Sequence, residues 1–546
     1  MKHIHPFIVI TICILFLVPY ISLHSAGIRD DFVSQTGIPR QLREIVNENR
    51  KIVHPQPHPD LVNIIDGYVF SVNFEEDAKI AKIVKERRGI AQGWRYNFNF
   101  GSVTDPLDIL LTHEQIYEEI HLIFNLLRNG YAAYKYFGGD DVFFPIRDSA
   151  LEKLAGMDNP MRVSTYFNNI LNLLLGSGAI ADNHFHISNM TYGIPKLIPY
   201  MNNNLILRRN PSHENSFITE IDGTFYKVLE VLRDAQPIEG ILPTITQDGE
   251  FAWAFGLVTV DRWQNSATFR HDFFHNNGQN VFDITVILEN TDTGISHSRV
   301  ITLQAVDVPV RQSGSSMITT QTSNGVMIIE NRTLSARSQE DLADFYNSAS
   351  AFRDKPVAII DLRGNKGGQG EYPSEWVRLY SGQTPTGSLF YSHKSQVVDE
   401  LLGLSRANNS SITEMDIEDE YYDDSTGLLP ISTQEIIKNE NVIIVLMDKD
   451  TASAGELFVR NLRQLENVLF VGTNTKGALL TSDVGRTTLP HSNMNISFGT
   501  ALRMPFDLSQ FEGIGFMPDL YVPPEESLER VLRFIERYGL LKLKSK

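Results

Sequence analysis

Asn441-Val442-Ile443-Ile444-Val445-Leu446-Met447, followed after a short polar turn by Thr451-Ala452-Ser453-Ala454-Gly455-Glu456, is the stretch on which the reading of this chain turns. Six consecutive apolar residues rich in β-branched side chains read as a strand covered on both faces. Ala454 to Leu465 then takes helical spacing, and Val468 to Gly472 is a second apolar strand. Strand, helix and strand in succession predict helices packed on a largely parallel sheet. The same alternation extends upstream, with a strand at Val326 to Ile329, a helix at Gln339 to Phe352 and a strand at Val357 to Leu362.

Ser453 falls where the strand has ended and the helix begins, and two readings compete there. With Glu456 three residues on, it forms a capping box, in which hydroxyl and carboxylate satisfy each other's main-chain donors. The same position sets a hydroxyl beside free N–H groups and the positive end of a helix dipole, where an oxyanion would be stabilised, first by the N–H of Ala454. Two further turns are punctuated by glycine. Asp361-Leu362-Arg363-Gly364-Asn365-Lys366-Gly367-Gly368 follows a strand, and Glu512-Gly513-Ile514-Gly515-Phe516-Met517-Pro518-Asp519 precedes one. The first is neither a P-loop nor a dinucleotide fingerprint.

Outside this core the texture changes twice. Asp77 to Arg87, His113 to Asn129 and Met161 to Leu175 have apolar residues at three- and four-residue spacing, which predicts a helical domain over residues 27–189. Residues 190–315 hold short alternating runs such as Phe282 to Leu288 and Arg299 to Leu303, set between turn formers. That module is β-rich, and Ile221-Asp222-Gly223 with a helix-like stretch after it is similar to a degenerate PDZ module. Residues 316–546 form the α/β region. Within it 395–435 is a polar, acidic stretch, read as a solvated insertion, and Glu526 to Leu541 is an amphipathic closing helix.

The three motifs in this order resemble the serine peptidase family that includes the C-terminal processing (tail-specific) peptidases and the tricorn core peptidase. The resemblance spans about residues 320–535, with a weaker echo near 170–190. It implies a crotonase-like (ClpP/crotonase) α/β core carrying the helical domain and the β-rich, PDZ-like insertion. It also implies Ser453 as nucleophile, with Gly367 or Gly368 joining Ala454 in the oxyanion hole. Tail-specific members take a lysine as base, but here Ala478 stands in the lysine's place and Lys476 is two residues early. Tricorn-type members use histidine instead, in a segment that Ile180-Ala181-Asp182-Asn183-His184 matches, so His184 is the expected base and Glu512 the residue that orients the site. Asn183 and Phe185 flank that histidine, where the family has a small hydroxyl residue. A peptidase-like binding protein for peptide or apolar ligand is the competing reading on the same fold, and a serine-directed probe separates the two.

Composition bounds the partners. The 546 residues include 48 Lys+Arg against 66 Asp+Glu, a net charge of −18, with no basic run; this argues against nucleic acid. His184 and His186 have no identifiable third ligand, and His271 and His275 lack the Glu-bearing metalloprotease pattern, so no metal or other cofactor is expected. The expected partner is a protein or peptide substrate. Lys2 and an apolar run from Pro6 to Leu23, then Ser25 and Ala26, resemble a signal peptide over 1–26, with His24 a poor fit to the cleavage rule. The chain is therefore expected to be exported, periplasmic or secreted, and membrane-held only if that segment stays uncut. The single cysteine, Cys13, lies within the run, so the mature chain would hold together by its core alone.

Overall fold

The computed structural model describes residues 42–46, 67–68, 72–93, 109–187, 195–210, 213–262, 281–306, 316–385, 387–404, 436–505 and 511–542. The expected signal segment with Cys13, the histidines His271 and His275, and the acidic residues 405–435 lie outside these.

The helical region contains α1 (Phe74–Gly93), α2 (His113–Gly130) and α3 (Asp140–Ala155). α2 begins with a full capping box, Thr112 with Gln115. After a helical stretch over 163–175, strand β1 (His186–Ile187) leads to the β-rich module. That module comprises β2 (Pro195–Asn210), β3 (His213–Ile221), β4 (Thr224–Arg233), β5 (Ile241–Ile245), β6 (Phe251–Arg262), β7 (Val281–Asn290) and β8 (Ser296–Ala305). All its pairings are antiparallel, in the order β8-β7-β4-β3-β2-β6-β5, and β8 also pairs with β2 at Tyr200 and Met201. The stretch after Asp222-Gly223 is therefore a strand, β4, rather than the helix expected for a PDZ-like unit. Its alternating turn-flanked pattern suits a half-buried strand.

The α/β region supplies β9 (Ile318–Ser323), β10 (Val326–Asn331), α4 (Gln339–Arg353), β11 (Val357–Asp361), α5 (Glu371–Ser381), β12 (Leu389–Ser392) and α6 (Gln396–Leu402). It continues with β13 (Val442–Met447), α7 (Ala454–Leu462), β14 (Val468–Gly472), β15 (Thr481–Thr488), β16 (Asn495–Met504), β17 (Leu520–Tyr521) and α8 (Ser527–Arg537). The central sheet runs β9-β10-β11-β13-β14-β17, parallel from β10 onward. Successive residues of a strand face opposite sides, and β13 uses both. Ile443, Val445 and Met447 pack with Phe345, Trp376 and Phe458 of α4, α5 and α7. Val442, Ile444 and Leu446 pack with Phe255 and Val286 of the β-rich module and Phe534 of α8.

A second, antiparallel sheet, β12-β16-β15 with β1 on the edge of β16, packs on the helical region through Phe498, Ile496 and Leu502. β1 thus ties the histidine segment to the α/β region by pairing His186 with Ser497. The stretch read as a solvated insertion from 395 is packed, not solvated, at its start. Val397 and Leu401 of α6 are buried in the helical core, and Asp77 of α1 accepts from the N–H groups of Gln396 (2.7 Å) and Val397 (3.1 Å).

Candidate active site

β13 ends at Met447, and Asp448 at once takes over its loose N–H groups, accepting from Gly364 (2.9 Å), Asp450 (3.0 Å) and Thr451 (3.1 Å). The chain then turns so sharply into α7 that Ser453 adopts φ 53°, ψ −123°. A non-glycine residue rarely holds such a conformation, which costs on the order of 1–3 kcal/mol, and on a strand-to-helix turn it thrusts the side chain outward. Glu456 N–H donates to the Ser453 carbonyl (2.8 Å), and the Glu456 carboxylate accepts from Ser453 N–H (3.1 Å).

Glu456 is more than a cap. Its fully buried carboxylate also accepts from Thr475 Oγ1 (2.6 Å), Gly477 N–H (2.7 Å) and Ala478 N–H (2.7 Å). Burial pushes its pKa up, and those four donors pull it back. The segment of Lys476 and Ala478 is thereby clamped to α7. Lys476 N–H donates to the Thr451 carbonyl (2.9 Å), and Ala478 is buried.

The glycine turn closes the other side. Asp361, wholly buried, pairs with Arg363 (2.6 Å) and Arg332 (2.7 Å), which hold its carboxyl far below the usual range despite burial. Asn365 receives Ala452 N–H on its carbonyl (2.8 Å) and Gly367 N–H on its Oδ1 (2.8 Å). Gly367, at φ +96°, lies so close to the serine that a Cβ there would stand 2.8 Å from Ser453 Cβ and 2.9 Å from Ala454 N. Its own N–H is committed to Asn365. Those of Gly368 and Ala454 make no hydrogen bond among the described residues, which leaves these two as the donors free for an oxyanion.

His184 arrives from the far end of the chain through its neighbour. Asn183 N–H donates to Glu512 Oε1 (2.6 Å), and Asn183 Nδ2 to the Gly477 carbonyl (2.5 Å). Glu512 Oε2 accepts from Leu479 and Leu480 N–H (2.9 Å each). Glu512 therefore joins the histidine segment to residues 479–480 through main-chain donors, and Glu456 joins 477–478 to Ser453. Burial and the nearby Asp182 push Glu512 up to about 8. The His184 ring is 14% exposed, with Nδ1 buried, unpartnered and 3.8 Å from Asp182 Oδ1. Burial, and to a lesser degree Lys476, lower its pKa, against the pull of Asp182. His186 falls to about 4 for the same main reason.

Asp182, Thr475 and Thr481 are the site-building residues that the sequence reading passed over. Asp182 accepts from Tyr131 OH and Thr481 Oγ1 (2.8 Å each) and from His184 N–H (2.8 Å). Its place two residues before His184 was the available signal. Asn331, within an Asn-Arg-Thr sequon, is fully buried and donates to the Met317 carbonyl (2.8 Å).

Comparison with known proteins adds the family. Residues 325–522 match the model of Peptidase family S41. No curated protein matches the chain. Among solved structures, mature CPAF is 14% identical over 80% of this chain and 99% of its own, with a TM-score of 0.39. The photosystem II D1 C-terminal processing protease is 14% identical over 78% and 97%, with a TM-score of 0.32. The tricorn protease is 12% identical over 78% of this chain and 37% of its own, with a TM-score of 0.30. The matched residues contain the glycine turn, the strained serine and the Glu512 turn described above, so over residues 325–522 the α/β region is similar to peptidase family S41, a likeness to serine-type peptidases.

Proposed function

We propose that Ser453 is the nucleophile, His184 the general base, and the N–H groups of Ala454 and Gly368 the oxyanion hole of an exported peptidase. The observation that carries this reading is the pair of carboxylate clamps. Glu456 binds the strained serine turn to Gly477 and Ala478, and Glu512 binds residues 479–480 to the segment of His184. In this mechanism the Ser453 hydroxyl attacks the scissile carbonyl while neutral His184 takes its proton. The tetrahedral oxygen is held by the two main-chain donors, each worth about 10²–10³ in rate. The imidazolium returns the proton to the leaving amine, and water releases the acyl-enzyme by the same route in reverse. Gly367 contributes space rather than a donor, and Glu512 orients the histidine through Asn183. Export rests on the apolar run Pro6 to Leu23.

A fluorophosphonate probe and a peptide digest test the assignment together. Wild type is expected to label at Ser453 and to cleave; Ser453→Ala is expected to do neither while melting like wild type. His184→Ala is expected to lose at least 10³-fold in rate. Full hydrolysis by either variant overturns the assignment, and N-terminal sequencing of the protein from its native fraction tests removal of residues 1–26.

A further inference from the structure

Two arginines, one on the nucleophile helix and one packed near it, lack an ion-pair partner among the described residues. Ser453 at the N-cap of α7 and Leu457 and Arg460 within it are four and three residues apart and so share one face. That face looks onto Gly370, the residue between the glycine turn and α5. A Cβ on Gly370 would lie 3.1 Å from Leu457 Cδ1 and 3.9 Å from Arg503 Nη2. Leu457 and the Arg503 guanidinium therefore meet over this glycine, one turn of helix from Arg460. Arg503 is held from below, with its guanidinium 5.0 Å over the Phe390 ring and Nη1 3.3 Å from Ser388 Oγ. Its N–H donates to the Leu480 carbonyl (2.8 Å), next to the residues clamped by Glu512.

Neither arginine makes an ion pair with a described carboxylate, and Arg460 Nε is buried with no partner at all. Asp483 acts on Arg503 without forming an ion pair with it, and Glu371 faces Asp483. Burial, with Arg503 beside it, pulls Arg460 down to about 9, and burial lowers Arg503 too, with Asp483 opposing. Two like charges crowded at low solvation are the arrangement that an incoming anion relieves, and a guanidinium fork suits a carboxylate better than other anions of a peptide. The N-terminal end of α5 at Gly370 adds its dipole in the same sense.

We propose that Arg460 and Arg503 form a substrate-recognition site for a peptide carboxylate. This deepens, and rests on, the reading of Ser453 as nucleophile. Seven helical residues at 1.5 Å each set Arg460 about 10 Å along the axis from Ser453, a span of about three residues of extended peptide. The carboxylate recognised therefore lies within three residues of the cut. It belongs either to an Asp or Glu side chain or to the free C-terminus of the substrate.

Synthetic decapeptide libraries decide this, with Glu or Gln fixed at each position in turn and with free or amidated C-termini. Wild type is expected to cut the carboxylate-bearing members at least tenfold faster in kcat/KM. The double variant Arg460→Gln/Arg503→Gln is expected to lose that preference, and Arg460→Lys/Arg503→Lys to keep most of it. A preference abolished by amidation assigns the carboxylate to the terminus, and one abolished by Glu→Gln assigns it to a side chain. No preference in wild type, or one that survives in the Gln variant, overturns the proposal. Fluorophosphonate labelling in parallel shows whether each variant keeps its machinery. If wild type neither labels nor cuts, the Ser453 reading fails on its own. Fluorescence anisotropy of the same peptides, labelled, on Ser453→Ala then decides the carboxylate site, which equal binding of Glu and Gln members overturns.

Discussion

The Ser453 backbone and the Gly367 Cα are fitted to each other so closely that neither position tolerates an added atom. Gly367→Ala places a methyl 2.8 Å from Ser453 Cβ, at a φ that disfavours any side chain. Its expected outcome is a loss of at least 10²-fold in kcat, with a fall in stability of about 1–3 kcal/mol read by denaturant titration; near-normal turnover would contradict the packing. The pH profile follows from His184. As the proposed base, His184 would work only when neutral, and burial lowers its folded pKa below the ordinary value of about 6.5. Lowering pH through 6.5 should therefore leave kcat/KM intact, and the acid limb should appear only at a lower pH. A limb at or above 6.5 would contradict this. At this scale the strained turn at Ser453 was legible, since Ser453 and the glycines sit in contiguous motifs. The division of labour between Gly367 and Gly368 was not, because it depends on an Asn365 side chain that takes one N–H and leaves the other.

Among the elements, α7 is anchored less by its propensity than by one residue in its first turn. The sequence reading treated Glu456 as half of a capping box, a local role. Its three further donors come from residues 475–478, and no periodicity within the helix could reveal them. Glu456→Ala would leave four buried donors unpaired, a cost of about 1–3 kcal/mol for the first and less for those that water reaches. Expected are a lower melting temperature and loss of Ser453 labelling before global unfolding, followed by far-UV circular dichroism alongside probe reactivity. Simultaneous loss of both signals would speak against a local clamp. The strands of the central sheet were readable because a strand buried on both faces has no polar residue to interrupt it, as in Val442–Met447. β4 was misread because Phe225, Val228, Leu229 and Leu232 at three- and four-residue spacing mimic a helix face, whereas in the strand Val228 is buried and Phe225 and Leu229 are exposed. The entry into α6 was misread for a different reason: the residues that bury it, among them Asp77, come from the distant helical region.

Across the whole molecule, the β-rich module and α8 close one face of the central sheet together. Gly249, at φ +82°, brings the β5–β6 turn against α8, where a Cβ would stand 2.5 Å from the Arg533 carbonyl carbon and 2.6 Å from Phe534 N. Gly249→Ala should loosen that contact and speed amide exchange in α8 and β5 while leaving α2 unchanged; uniform acceleration would contradict a separable contact. The order of the chain has its own consequence. Asn183 and Glu512 are 329 residues apart in sequence yet share a hydrogen bond, so the histidine emerges from the ribosome long before its anchoring carboxylate. Until Glu512 has been added, a nascent polypeptide of this protein lacks the carboxylate that fastens the segment of His184 to Leu479 and Leu480, so the candidate site is assembled only after the α/β region has been made.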